Sequence, residues 1–432
     1  MGPILIFDKS ALECLNPDEA VFMDLFYRTN ITPLFYIETL ADLEKHIRNG
    51  RTAEQIVGNL ANKTPEIHSS PNTHHLSMIS AEITGAENIP MKGLPILSGG
   101  QYKELNGQTG VVFQESAEAE AFQRWQNSQF IDIERLFAKS WRRYLQCTNF
   151  DEVSLFFGQL YDYRRKPKDF SDLKTLVDSL LDQSNQKRIF RFSLNLLGIP
   201  DDIQQITFDR WIEKGKPTLH DFSPYFRYVL SVELFFYLGI AANLISKDRL
   251  SNKIDFAYFY YLPFCMVFCS GDKLHKKISP YFLRENQTFV WAEDFKADLK
   301  MLDIYYSVFS EELKKQGLFK LAEKPPADTG FLVTRLWDKH LPGWREGLKV
   351  KKPLNEINTK SLINGIKKFE ESATEIDPIT NSHMGEIQSI MFHRKVRPRK
   401  GKWKLFSPDI EQAARDARSP SESAEEGEKR EK

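Results

Sequence analysis

The chain has 432 residues, 59 basic and 59 acidic side chains, 41% hydrophobic residues and 32 phenylalanines. That length points to roughly two or three compact units, and the apolar content excludes global disorder. Zero net charge excludes a chain that is basic throughout and leaves only local stretches for contact with nucleic acid.

Cys14, Cys147, Cys265 and Cys269 are the only cysteines, and no Cys-x-x-Cys occurs. A disulfide framework and a cysteine zinc knuckle are therefore not expected. The opening MGPILIFDKS lacks a basic n-region, so no leader is expected there. The longest apolar stretch, residues 225–245, contains Arg227 and Glu233 and reads as a buried helix rather than a membrane span. The expectation is a reduced, soluble, cytoplasmic protein.

Residues 3–7 form a short apolar run that predicts a fully buried strand ending at Asp8. Asn16-Pro17-Asp18-Glu19 predicts a helix start, with Val21, Phe22, Leu25 and Phe26 as its buried stripe and Thr29-Asn30 as its stop. Residues 31–37 predict a second strand, and a helix follows from Glu38 to Asn49-Gly50. Strand, helix, strand in so short a span opens an α/β sheet. Residues 62–110 lack periodicity and predict a long irregular loop.

Residues 115–147 and 151–250 read as mostly helical, with breaks at Lys166-Pro167, Gly198-Ile199-Pro200 and Lys216-Pro217. Residues 254–262 predict an aromatic helix, 264–269 a third strand, 288–291 a fourth, and 293–313 an amphipathic helix. Residues 314–390 form an extension that turns polar after Val350. Residues 391–432 hold a basic segment followed by a flexible tail, disordered by composition over 419–432.

Asp8, Glu38 and Asp272 each follow a predicted strand, and Asp255 opens the segment before the third. Carboxyl ends of strands in an open α/β sheet line the edge where ligands bind. Carboxylates gathered there repel one another unless a cation joins them, and Mg²⁺ or Mn²⁺ suits an all-oxygen shell. The plainer reading of each acid is a turn former or helix cap.

The segments ILIFDKSAL, ITPLFYIETLADLEK and KIDFAYFYYLPFCMVFCSGDKLHKKI resemble the acidic skeleton of a PIN-domain nuclease. The resemblance covers roughly residues 1–50 and 250–310. It implies an α/β fold with a PIN-like parallel-sheet core, here discontinuous over 1–50 and 251–313, and a large, mostly helical insertion over 51–250. About 200 residues separate the second and third acids, far more than in compact members. It further implies that Asp8, Glu38, Asp255 and Asp272 hold one or two Mg²⁺ or Mn²⁺ ions for endonucleolytic cleavage of RNA, leaving a 5′-phosphate. Asp8→Asn is then expected to abolish cleavage with little loss of stability.

Ser10, Asp42, Ser270 and Lys273 are auxiliary candidates: Asp42 as a further ligand, Ser10 through a metal-bound water or phosphate, and Lys273 or His275 at the scissile phosphate. The basic segment offers Arg394, Lys395, Arg397, Arg399, Lys400, Lys402 and Lys404 for phosphates, with Trp403 for base stacking. A solvated linker is the alternative. His68, His74 and His75 read as loop histidines without a ligand role, and Cys265 and Cys269 as core. No phosphate-binding Gly-rich loop or Gly-x-Ser-x-Gly elbow occurs. The alternative to a nuclease is a catalytically inactive RNA-binding or scaffold protein whose helical insertion binds a protein partner.

Overall fold

Nine strands are found among the described residues: β1 (Ile4–Phe7), β2 (Arg28–Ile31), β3 (Ser69–Pro71), β4 (Gly100–Leu105), β5 (Gln108–Phe113), β6 (Val267–Ser270), β7 (Thr288–Trp291), β8 (Thr374–Glu375) and β9 (Ser389–Phe392). They are seen in a computed structural model that describes residues 2–45, 50–105, 108–147, 149–162, 164–183, 185–346, 372–375, 389–392 and 401–410. Five strands make an all-parallel sheet in the order β3-β2-β1-β6-β7. The α/β class is therefore as the sequence predicts.

Parallel neighbours need crossover connections, and helices supply them. The chain runs outward from β1 through β2 to β3, then returns to lay β6 against the other side of β1. The order reverses between β1 and β6, and clefts at carboxyl strand ends open at such switch points.

Successive β1 side chains point to opposite faces, and both faces are covered. Ile4 and Ile6 enter one core with helix Pro224–Ala241 and the aromatic turn Tyr258–Phe264. Leu5 and Phe7 enter the other with helices Pro17–Phe26 and Ala292–Ser307. Gly2 is required by packing, since a methyl group on it would lie 1.8 Å from the carbonyl oxygen of Phe26.

From Ala117–Gln126 to Pro224–Ala241 the described residues are mostly helical, with breaks where the sequence predicts them. Helix Pro224–Ala241 is buried along most of its length, and Glu233 within it is held by the Lys253 ammonium and the Tyr260 hydroxyl. Among the described residues no helix is long and apolar enough to cross a membrane.

Three expectations change. The second strand is Arg28–Ile31, so Thr29 and Asn30 are strand residues rather than a helix stop. Pro33 is the first residue of helix Pro33–Ala41, where a fixed φ and a missing N–H do no harm. Residues 62–110 are not one loop. They hold the end of helix Ala53–Lys63, β3, helix His75–Thr84, β4 and β5. Their anchor is tertiary: buried Asp24 accepts the backbone N–H groups of Glu66, Ile67 and His68 at 2.8–3.1 Å. β3 thus joins the main sheet from inside the predicted insertion. β4 and β5 pair antiparallel in a second sheet ordered β8-β4-β5-β9. The third predicted strand moves forward to Val267–Ser270, leaving Cys265 before it and Cys269 within it, both buried. The tail over 419–432 lies outside the described residues.

Candidate functional site

Asp8 ends β1 and caps helix Lys9–Glu13, accepting the Ala11 N–H at Oδ1 (2.9 Å). Ser10 Oγ lies 2.8 Å from both Asp8 oxygens, and Ser270 Oγ donates to Oδ2 at 2.7 Å. The Gly271 N–H donates to Ser10 Oγ at 2.9 Å, linking the ends of β1 and β6. A methyl on Gly271 would sit 2.9 Å from that same oxygen, so the close approach favours glycine. Register alone brings Asp8 and Ser270 together, because Phe7 pairs with Cys269.

His275, fully buried, completes this knot. Nδ1 lies 2.7 Å from Ser270 Oγ and 3.4 Å from Asp8 Oδ2, while Nε2 lies 2.6 Å from the Asp255 carbonyl oxygen. Ser270 has one hydroxyl proton. With that proton on Asp8, Nδ1 must donate to Ser270, and Nε2 must donate to the carbonyl. Both ring nitrogens then carry protons, which makes the ring an imidazolium. Burial pushes His275 down, but the nearby carboxylates of Asp8 and Asp255 outweigh it and raise it to about 9. Burial likewise pushes Asp8 up, and His275, Ser270 and the Ala11 N–H hold it below the usual carboxylate value.

The other acids face less complete partners. Asp272 caps helix Lys273–Ile278, with Oδ1 accepting the Leu274 N–H at 2.6 Å. Its Oδ2 accepts from Arg249 Nη2 at 3.1 Å. Asp255 lies in helix Asn252–Ala257, and its Oδ2 stands 3.4 Å from the same Nη2. That oxygen is buried and has no hydrogen bond. Burial, Asp272 and Asp8 push Asp255 up against the opposing pull of His275 and Arg249, to about 6.

Glu38 sits inside helix Pro33–Ala41 rather than just beyond a strand, and the Tyr258 hydroxyl donates to its Oε2 at 2.6 Å. Burial raises Glu38 most. Lys9 and the Tyr258 hydrogen bond pull it back, while Asp255 and Asp8 push it on, to about 7. The four acids predicted from sequence therefore share one electrostatic neighbourhood at the switch point.

Their donor set is all oxygen, burial and neighbouring acids raise the pKa of Glu38 and Asp255, and one buried oxygen lacks a hydrogen bond. This chemistry fits a hard divalent cation. Among the described residues no three His, Cys, Asp or Glu side chains are drawn together as a metal-holding group. The carboxylates are turned instead to His275, Tyr258 and Arg249.

Several auxiliary residues find other roles. Asp42 is ion-paired with Lys9 (2.9 Å) and Lys45 (2.6 Å), so its carboxylate faces ammonium groups rather than the cleft. Ser10 and Ser270 bind Asp8 itself. His275 is too deeply buried to touch a phosphate, which corrects that expectation; Lys273 is exposed.

Trp403 is not a free stacking platform. It packs edge-on against Phe22 at 5.6 Å, and its Nε1 donates to Asp303 at 2.7 Å. Lys402 pairs with the same carboxylate at 2.8 Å. The Lys404 carbonyl accepts from the Leu318 backbone at 2.9 Å. Arg394, Lys395, Arg397, Arg399 and Lys400 lie outside the described residues. His68 bonds the Asp24 carbonyl, His74 caps helix His75–Thr84, and His75 meets the Tyr261 hydroxyl.

No protein-family model, curated protein or solved structure matches the chain. The cleft's own residues carry the functional reading. Sequence reasoning missed Tyr258 as the partner of Glu38 and missed Arg249 entirely. Tyr258 follows Asp255 by one helical turn, a spacing that places both on one face; nothing in the sequence around Arg249 marks it.

Proposed function

We propose that the chain is a PIN-like, metal-dependent endonuclease that hydrolyses phosphodiester bonds in RNA. What supports this most is the electrostatic influence that Asp8, Glu38, Asp255 and Asp272 exert on one another, with Asp8 and Asp272 at the ends of β1 and β6: burial first, then the neighbouring acids, raise Glu38 to about 7 and Asp255 to about 6. Asp8, Asp255, Asp272 and Glu38 would hold Mg²⁺ or Mn²⁺. Such an ion neutralises the phosphate and lowers the pKa of a bound water.

The chain's own groups have distinct parts in this reading. Asp8 is kept ionised by the imidazolium of His275 and fixed in orientation by Ser10 and Ser270. Glu38, near neutrality and in contact with Tyr258, is suited to take a proton from the attacking water. The expected product carries a 5′-phosphate, read by end-labelling after incubation of single-stranded RNA with Mn²⁺. Products bearing 2′,3′-cyclic ends, or equal cleavage in EDTA, would overturn the assignment.

A second reading is a silent RNA-binding or scaffold protein with a partner on the helical insertion. It is favoured by the seating of the acids on His275, Tyr258 and Arg249. RNA binding of equal strength in EDTA and Mg²⁺, without cleavage, would select it.

A further inference from the structure

Arg249 lies in the turn between helix Pro224–Ala241 and helix Asn252–Ala257, where the insertion re-enters the core. Its Nη2 stands 3.1 Å from Asp272 Oδ2 and 3.4 Å from Asp255 Oδ2, and its Nε donates to Ser251 Oγ at 3.0 Å. The arginine side chain is 59% exposed, whereas the two carboxylates are 12% and 13% exposed. A guanidinium this open to water is rehydrated as it leaves, so its contact with the two carboxylates is readily exchanged for another cation.

One guanidinium nitrogen placed between two carboxylate oxygens satisfies them with a single positive charge. The geometry is also incomplete, because Asp255 Oδ2 gains charge proximity without a hydrogen bond. A divalent cation supplies twice the charge and binds both oxygens directly.

We infer that Arg249 is the resident counter-ion of the cleft: it yields Asp255 and Asp272 to a divalent cation, and its freed fork then binds the phosphate of the incoming strand. The inference rests on the nuclease reading and deepens it. An anionic strand approaching four acids needs a cation at the mouth, and a guanidinium matches a phosphate with paired donors. Tethered beside Ser251, Arg249 need only swing outward to meet it.

Calorimetric titration of Mn²⁺ into the full chain, without RNA, tests the first half. Arg249→Ala is expected to bind Mn²⁺ about tenfold tighter than wild type, because a competing charge is gone. Arg249→Lys should stay close to wild type. Binding of labelled single-stranded RNA in Ca²⁺ tests the second half. There Arg249→Ala is expected to weaken affinity several-fold and lower the salt slope by about one.

Opposite signs for metal and RNA are the signature, since a merely structural loss would weaken both. If wild type binds Mn²⁺ and Arg249→Ala binds it no tighter, the counter-ion role falls while the nuclease reading stands. If RNA affinity is unchanged in Arg249→Ala, the phosphate contact falls. If no variant binds Mn²⁺, both readings fall together.

Discussion

The two flanks of the cleft solve the same electrostatic problem in opposite ways. On the Asp8 flank, a buried carboxylate is met by two serine hydroxyls, a backbone N–H and a buried histidine, which hold it ionised. On the Asp255–Asp272 flank, one exposed guanidinium spans two acids, and a buried oxygen keeps no hydrogen bond. The first arrangement is complete and belongs to the fold. The second is provisional, and incompleteness of that kind marks the side where a ligand adds most.

Removing Asp8 should produce the largest effect. Asp8→Asn would leave His275 buried opposite an amide, and a cost of about 3 kcal/mol in urea unfolding is expected, together with loss of cleavage. This replaces the expectation of little stability loss, because the knot joining β1 to β6 runs through this carboxylate. A variant as stable as wild type would erase the contrast between the flanks.

The opposite sign is expected on the other flank. Asp255 is raised from 3.8 to about 6, so between those values the folded chain keeps a proton that the unfolded chain has lost. Stability therefore falls as pH rises through that window. Asp255→Asn removes the penalty and should gain on the order of 2 kcal/mol at pH 7.5, with the gain vanishing below about pH 4. Denaturation at the two pH values checks both sign and window.

His275 sharpens the comparison from the Asp8 side. Its folded value of about 9 lies above the ordinary 6.5, so its contribution is full below 6.5 and is lost as pH rises toward 9. The wild-type urea midpoint should decline across that range, and His275→Gln should flatten the decline. A parallel decline in both proteins would place the charge elsewhere.

The smallest effect is expected at the C-terminal contact. Trp403→Ala should cost about 1 kcal/mol, through loss of its hydrogen bond to Asp303 and its packing on Phe22, and leave RNA affinity unchanged. A fall in RNA affinity would restore a base-stacking role to this ring.

Much of this contrast was legible in the sequence, though not all of it. β1 and β7 were readable because short apolar runs between turn signals need no tertiary information. Asp8 and Asp272 followed from their place at strand ends. Glu38 was found by a route that the fold corrects: Pro33 starts a helix, so Glu38 reaches the cleft from a helix face. The β4–β5 hairpin carried a signal, the Asn106-Gly107 dipeptide between its strands, obscured by the surrounding polar sequence. β3 had no local signal, because Asp24 fixes the backbone leading into it from more than forty residues away. The hydrogen bond from Arg249 to Asp272 also spans the chain, across 23 residues, whereas its approach to Asp255 is nearly local.

The most direct measurement is cleavage of a labelled, mixed-sequence single-stranded RNA in Mn²⁺, Mg²⁺ and EDTA, by wild type and by Asp272→Asn. Asparagine retains the helix cap at that position, so the substitution removes charge while keeping the local structure. Cleavage by wild type in either metal, none in EDTA, and a loss of at least a hundredfold in Asp272→Asn are the predicted results, about 3 kcal/mol of transition-state stabilisation. Cleavage that survives both EDTA and the loss of this carboxylate, or no cleavage by the wild-type chain in either metal, would contradict the account.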